Sequence, residues 1–251
     1  MPKVRADQLV VERGLADNRT KAQALIIAGS LFSGERRIEK PGQLVADDTP
    51  LEMRGAALPY VSRGGFKLAH GLDHFKLDPE GMTAIDVGAS TGGFTDVLLQ
   101  RGAAHVYAVD VGHGQLDWRL RNDPRVTVME KTNARYLKNN EVGVPTDLVV
   151  CDASFISLRT VLPASLALVK PEGWLIALIK PQFEVGKGEV GKGGVVRDEA
   201  LHIRVCDEIR AWLSDVQGWS VIDITPSPIL GPKGNREFLV GARCFSVISP
   251  T

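Results

Sequence analysis

From Thr83 onward, apolar runs of strand length alternate with helix-sized segments, a pattern that restricts this part of the chain to a mainly parallel sheet flanked by helices. The first five runs are residues 84–87, 106–109, 126–129, 148–151 and 175–179. After a helix near 198–213 come two more, 220–224 and 237–242. Between these last two lie Pro226, Pro228, Gly231, Pro232 and Gly234, which leave no room for a crossover helix. The final strand is therefore expected to return antiparallel, closing a seven-stranded α/β sheet.

The segment ahead of this pattern has a different texture. Asp7 precedes the apolar pair Leu9-Val10, Gly14 stops that turn, and Asp17-Asn18 are placed to cap a second helix from about 19 to 28. On that helix Ala22, Leu25, Ile26 and Gly29 share one face. A small sheet is expected to cover it, built from Leu31-Phe32, a turn at Ser33-Gly34, Arg37-Ile38, Val45 and residues 51–54. Pro59 and the pair Gly64-Gly65 read as a connector. The division is then 1–58, a linker at 59–65, and 66–251.

Charge excludes little: Lys plus Arg and Asp plus Glu are 30 each, so any electrostatic partner must be met locally. In residues 1–62 nine basic residues face eight acidic ones. Arg5, Arg19, Lys21, Arg36 and Arg37 are the polar-face positions placed to meet phosphates. The longest apolar run, 174–179, is far short of the roughly 20 residues of a membrane-spanning helix. The N-terminus lacks the apolar core of a secretory signal, and three distant cysteines fit neither a disulfide framework nor a paired metal site. A cytoplasmic chain without metal or membrane partner is expected.

The chemistry begins at Asp86-Val-Gly88-Ala-Ser90-Thr91-Gly92-Gly-Phe94-Thr95, which follows a strand and opens a helix. Glycines there allow a ligand to approach the backbone, and the helix start offers free amides. The pyrophosphate fingerprint would require Gly at position 90; Asp-x-Gly-x-Ser-x-Gly instead resembles the methyltransferase turn. Asp110, which ends the second strand ahead of Val111, can accept two hydrogen bonds from a ribose diol and so marks an adenosine rather than a reaction. Asn133 follows the third strand, where an adenine would lie. The cofactor contacts expected are Gly88, Ser90, Thr91, Gly92, Phe94, Asp110, Val111, Asn133 and Asp152.

Four polar residues sit at strand ends or on the segment entering the domain: Lys67, Asp152, Lys180 and Glu237. Lys180 is the most informative, because an apolar strand that delivers an ammonium to a ligand-binding edge must supply partners for it. This Lys-Asp-Lys-Glu set resembles the tetrad of the FtsJ-like RNA ribose 2′-O-methyltransferases. The resemblance implies Lys180 as proton acceptor, Asp152 and Glu237 orienting it, and Lys67 favouring its neutral form. The run Lys180-Pro-Gln-Phe-Glu184 replaces the Asn-Pro-Pro-Tyr type of amino-methylating enzymes, which argues against base N-methylation.

The first fifty residues resemble the S4 RNA-binding domain, although Phe32-Ser-Gly-Glu35 stands where many S4 sequences carry an Asn-Gly-type turn. Together with residues 86–95 and 227–238, they are similar to the TlyA (hemolysin A) family of bacterial rRNA methyltransferases. That resemblance implies a small α+β S4-like domain followed by a class I, Rossmann-like methyltransferase sheet. It also implies S-adenosylmethionine as cofactor, ribosomal RNA or subunits as partner, and a cytidine 2′-hydroxyl as acceptor. The glycine-rich segment 185–197, with Lys187, Lys192 and Arg197, is expected to form a lid that orders on RNA. The competing readings are a non-catalytic S4-type assembly factor, distinguished by whether the tetrad is intact, and a membrane-acting hemolysin, for which no inserting segment is seen.

Overall fold

A computed structural model describes residues 3–16, 18–27, 29–53 and 59–245. The chain divides into two compact units, Met1–Pro59 and Tyr60–Thr251.

In the first unit, β1 (Lys3–Arg5) leads directly into α1 (Ala6–Glu12), followed by α2 (Arg19–Ile27). The strands β2 (Leu31–Ser33), β3 (Arg36–Arg37), β4 (Leu44–Ala46) and β5 (Glu52–Met53) follow. Leu9, Val10, Ala22, Ile26, Leu31 and Ile38 form the core, so Ala22 and Ile26 of the predicted stripe are buried and Leu25 is partly so, while Gly29 lies past the end of α2 with φ +80°. The single covering sheet divides in two: β3-β2-β5 is one ladder, while Val45 pairs with Val4 in a separate β1–β4 ribbon. Lys3–Arg5 takes that pairing because Gln43 and Pro41 carbonyls also accept the first amides of α1, which pins the chain beside β4. Asp7 lies inside α1, where Arg5 is the N-cap. Asp17 and Ala28 fall outside the described residues.

The second unit opens on α3 (Gly64–Phe75) and continues through β6 (Thr83–Val87), α4 (Gly93–Gln100), β7 (His105–Val109), β8 (Val126–Met129), β9 (Thr146–Cys151) and β10 (Val169–Ile179). After the helix Glu199–Ala211 come β11 (Trp219–Pro226) and β12 (Phe238–Cys244). Their order is β11-β12-β10-β9-β6-β7-β8. The pairs β10–β9, β9–β6, β6–β7 and β7–β8 are parallel, and β12 runs antiparallel to both its neighbours. The reversed last strand is thus as the Pro/Gly-rich 226–234 stretch requires. Leu175 to Ile179 are buried on both faces of the sheet, which explains their unbroken apolar run.

Residues 60–65 are not a free connector. Val61 donates its amide to Asp96 Oδ2 at 2.7 Å, and Tyr60 packs edge-on against Phe66. Gly64 and Gly65 begin α3, and a Cβ at Gly65 would stand 2.5 Å from Tyr60 Cβ. The glycine pair serves close packing rather than a flexible link.

Candidate active site

The turn after β6 is built by backbone that side chains would obstruct. Gly88 has φ +81°, and a Cβ there would stand 3.0 Å from the Ala153 backbone, so the β6 and β9 loops meet only because the residue is glycine. Ser90 (φ +49°) and Gly92 (φ +94°) complete the turn into α4. Asp86 is fully buried, and its Oδ2 accepts from Thr95 N at 2.9 Å and Thr95 Oγ1 at 2.7 Å. It fastens the turn to the start of α4.

Burial, reinforced by the charges of Asp152 and Asp110, raises the Asp86 carboxyl from 3.8 to about 7. The folded state then holds a proton that the unfolded chain has lost, so this contribution is complete below about pH 3.8 and disappears as pH rises through about 7. Asp86→Asn keeps an acceptor for Thr95 without the charge. Urea unfolding across pH 4–8 is expected to show wild-type stability falling relative to the variant; a constant difference would contradict this assignment.

Asp110, at the end of β7, accepts from Ser90 N at 2.8 Å and Gly112 N at 2.7 Å. Both its oxygens are thereby fixed beside a cleft of about 510 Å³, within the range that takes small-molecule cofactors. Gly88, Ser90, Asp110, Val111, Asn133 and Asp152 all line that cleft. Asn133 also caps the turn after it, accepting from Arg135 N. The fixed carboxylate, the Gly88 approach and the space beside them fit an adenosyl group.

Thr91, Gly92 and Phe94 do not line the cleft. The Thr91 carbonyl accepts from Asp117 N, Gly92 faces the Leu116 and Leu120 side chains, and Phe94 is 3 % exposed in the core. Residues 153–156, after Asp152, also line the cleft, with Thr132, Arg135 and Val161, and sequence reasoning did not single them out. Their only signal is position after an apolar strand. Phe155 stands out at 90 % exposure and φ +65°, its ring 5.1 Å from that of Phe183.

The four polar residues converge. Lys67, on α3, donates to Glu237 Oε2 at 2.6 Å and lies 3.8 Å from Asp152 Oδ2. Lys180, one residue past β10, pairs with Asp152 Oδ1 at 2.5 Å and donates to the Asp152 carbonyl at 3.1 Å and to Ser154 Oγ at 2.9 Å. Both lysines and Glu237 are under 10 % exposed. A Cβ at Gly231 would collide with the Glu237 carboxylate, so that glycine lets the carboxylate fold back beneath its loop. Two ammonium groups bracketing one carboxylate, with a second carboxylate behind, can hold one amine in place while it exchanges a proton.

Among the basic candidates, Arg5 and Arg19 both donate to the buried Asp7, whose carboxyl they hold far below the usual range. Arg36 and Arg37 are exposed on β3, with the Arg37 guanidinium over Gly29. Lys192 and Arg197 are exposed, and the side chains of Lys21 and Lys187 lie outside the description. The expected lid is pinned over its second half. Asn235, 3 % exposed, accepts from Val196 N and donates to the Gly194 carbonyl, and the His202 ring bonds the Val196 carbonyl.

The chain matches the FtsJ-like methyltransferase family over residues 60–244. It is 47 % identical over 242 residues to the 16S/23S rRNA (cytidine-2′-O)-methyltransferase TlyA of Mycobacterium tuberculosis, covering 96 % of this chain and 90 % of that protein. It is 38 % identical over 240 residues to Hemolysin A of Brachyspira hyodysenteriae, covering 94 % and 98 %. Among solved structures, a candidate hemolysin from Streptococcus thermophilus superposes with a TM-score of 0.77 at 43 % identity, covering 98 % and 90 %.

Proposed function

This chain belongs to the FtsJ-like methyltransferase family, and we propose that it transfers a methyl group from S-adenosylmethionine to the ribose 2′-hydroxyl of a cytidine in ribosomal RNA. The observation that carries the reading is the Lys67–Glu237 and Lys180–Asp152 pairing beside the cleft. When bound, the cofactor supplies an electrophilic methyl group on a positively charged sulfur. Asp110 would accept from its ribose, with Gly88, Ser90 and Val111 against the nucleoside and Asn133 beside the adenine. A sugar hydroxyl is a weak acid, so it attacks only when it is aligned and its proton is removed as the new bond forms. Lys180 is the proton acceptor. Asp152 holds its direction, while Lys67, bound to Glu237, shares Asp152 and keeps the two carboxylates from competing for the proton.

The exposed Phe155 ring offers a stacking surface for the target base at the cleft wall. Phe155→Ala is expected to raise the KM for rRNA about tenfold, from a stacking energy of roughly 1–3 kcal/mol. Because the ring is 90 % exposed, melting temperature should not move. An unchanged KM would remove the residue from substrate binding. The first unit is read as an S4-like RNA-binding domain, with Arg5 and Arg19 set in one orientation by Asp7 and with Arg36 and Arg37 exposed on β3. No helix among the described residues is long and apolar enough to cross a membrane.

Purified protein incubated with ribosomal subunits and methyl-labelled S-adenosylmethionine tests the reading directly. Label is expected in rRNA. Cofactor binding without label in either subunit's rRNA would favour an assembly factor instead.

A further inference from the structure

Lys180 is 6 % exposed, whereas Asp152, Ser154 and Phe155 form the cleft wall in front of it. The amine makes its contacts through Asp152 Oδ1 at 2.5 Å, the Asp152 carbonyl at 3.1 Å and Ser154 Oγ at 2.9 Å. The carbonyl and the hydroxyl each accept a hydrogen bond from the ammonium, and the Asp152 carboxylate pairs with its charge. They differ in one respect. The carbonyl and the ionised carboxylate only accept, while a hydroxyl accepts from an ammonium and can turn to donate to a neutral amine. Of the three, Ser154 alone can donate to the lone pair of a neutral Lys180 amine, and Ser154 is an exposed residue on the cleft wall.

We infer that the Ser154 hydroxyl is a catalytic group that relays the proton of the acceptor hydroxyl to Lys180, an inference that rests on the methyl-transfer reading above. As the sugar oxygen is methylated, its O–H bond breaks and the proton passes to Ser154 Oγ, while the Ser154 proton passes to the neutral amine of Lys180. The sugar oxygen uses the freed electron pair to bond the methyl carbon, whose bond to sulfur breaks with its pair left on sulfur. Serine ends as it began. Lys180 ends as an ammonium paired with Asp152 and bonded to its carbonyl and to Ser154, the arrangement found here.

The loop that carries Ser154 is anchored for this role. Glu184, four residues after Lys180, accepts from Ser157 Oγ at 2.6 Å and from Leu158 N at 2.7 Å. Its carboxyl is pushed up by burial. Ser154 and Lys180 are therefore held to one another from both ends of the same loop. The other groups facing Lys180 remain intact when Ser154 is changed: Asp152 from β9, the buried Cys151 thiol, and Lys67 with Glu237 across Asp152.

The test uses the full chain with ribosomal subunits and labelled S-adenosylmethionine under single turnover, with cofactor affinity measured separately by calorimetry. Ser154→Ala is expected to lower the transfer rate about 100-fold, the usual scale for a positioned acid–base group. Cofactor Kd and rRNA KM should stay within about twofold, and Ser154→Thr, which restores a hydroxyl, should recover most of the rate. Ser154→Gly gives the same readout if the alanine variant fails to fold. A loss below about tenfold, a loss matched by weaker binding, or a threonine variant as slow as alanine would overturn the relay. Lys180→Ala separates the two failures. If it is inactive while Ser154→Ala is active, only the relay is wrong; if it retains the wild-type rate, the tetrad reading fails and takes the relay with it.

Discussion

Lys180→Ala is expected to abolish methyl transfer, by 10²-fold or more on the roughly 10²–10⁴ scale of a lost acid–base group, while cofactor affinity stays within about twofold. The expected separation follows from placement. Asp110, Gly88 and Ser90 hold the cleft from the β6 and β7 ends, whereas Lys180 reaches Asp152 and Ser154 from the end of β10. Removing the amine leaves Asp152 with Lys67 as its remaining cation at 3.8 Å, so the carboxylate is not stranded. Calorimetric titration with S-adenosylmethionine beside a single-turnover assay checks both halves. Activity near wild type would remove Lys180 from the reaction. A large loss of cofactor affinity would make it a binding residue instead.

The second large effect concerns stability. Lys67→Met is expected to cost about 3–5 kcal/mol, because removing one partner of a buried ion pair leaves the other uncompensated. Glu237 is 2 % exposed, its Oε2 bonds Lys67 at 2.6 Å, and its buried Oε1 has no hydrogen-bond partner among the described residues. Asp152 would keep Lys180. Replacing both members by apolar residues of similar size, as in Lys67→Met with Glu237→Leu, should recover most of that stability, since such exchanges are often neutral. Activity should not return. Urea unfolding of the three proteins decides it: a single variant within about 1 kcal/mol of wild type would mean the pair is too well hydrated to matter.

The tetrad was legible in the sequence because two of its members interrupt or follow long apolar runs. Lys180 after residues 175–179 and Asp152 after 148–151 stand where a buried strand hands a charge to the sheet edge. The reversed β12 was equally legible, since prolines and glycines between 226 and 234 forbid a crossover helix. Periodicity carries no such information about loops. Ser154 and Phe155 lie in a segment without a repeat, and their importance comes from where β9 points them. Gly64-Gly65 reads as a connector because the sequence does not distinguish a glycine needed for flexibility from one needed for contact with Tyr60. Thr91, Gly92 and Phe94 belong to the same motif as Gly88 and Ser90 but do not line the cleft. Asp7, in sequence only a polar residue ahead of Leu9-Val10, is the buried anion around which Arg5, Arg19 and Gln23 gather.

The most direct measurement is nucleoside mass spectrometry of rRNA treated with the wild-type chain and with Lys180→Ala. New 2′-O-methylcytidine, present with the first and absent with the second, is the result this arrangement of lysines and carboxylates requires. A methyl group found on a nucleobase, or a ribose methyl that persists without Lys180, would contradict it.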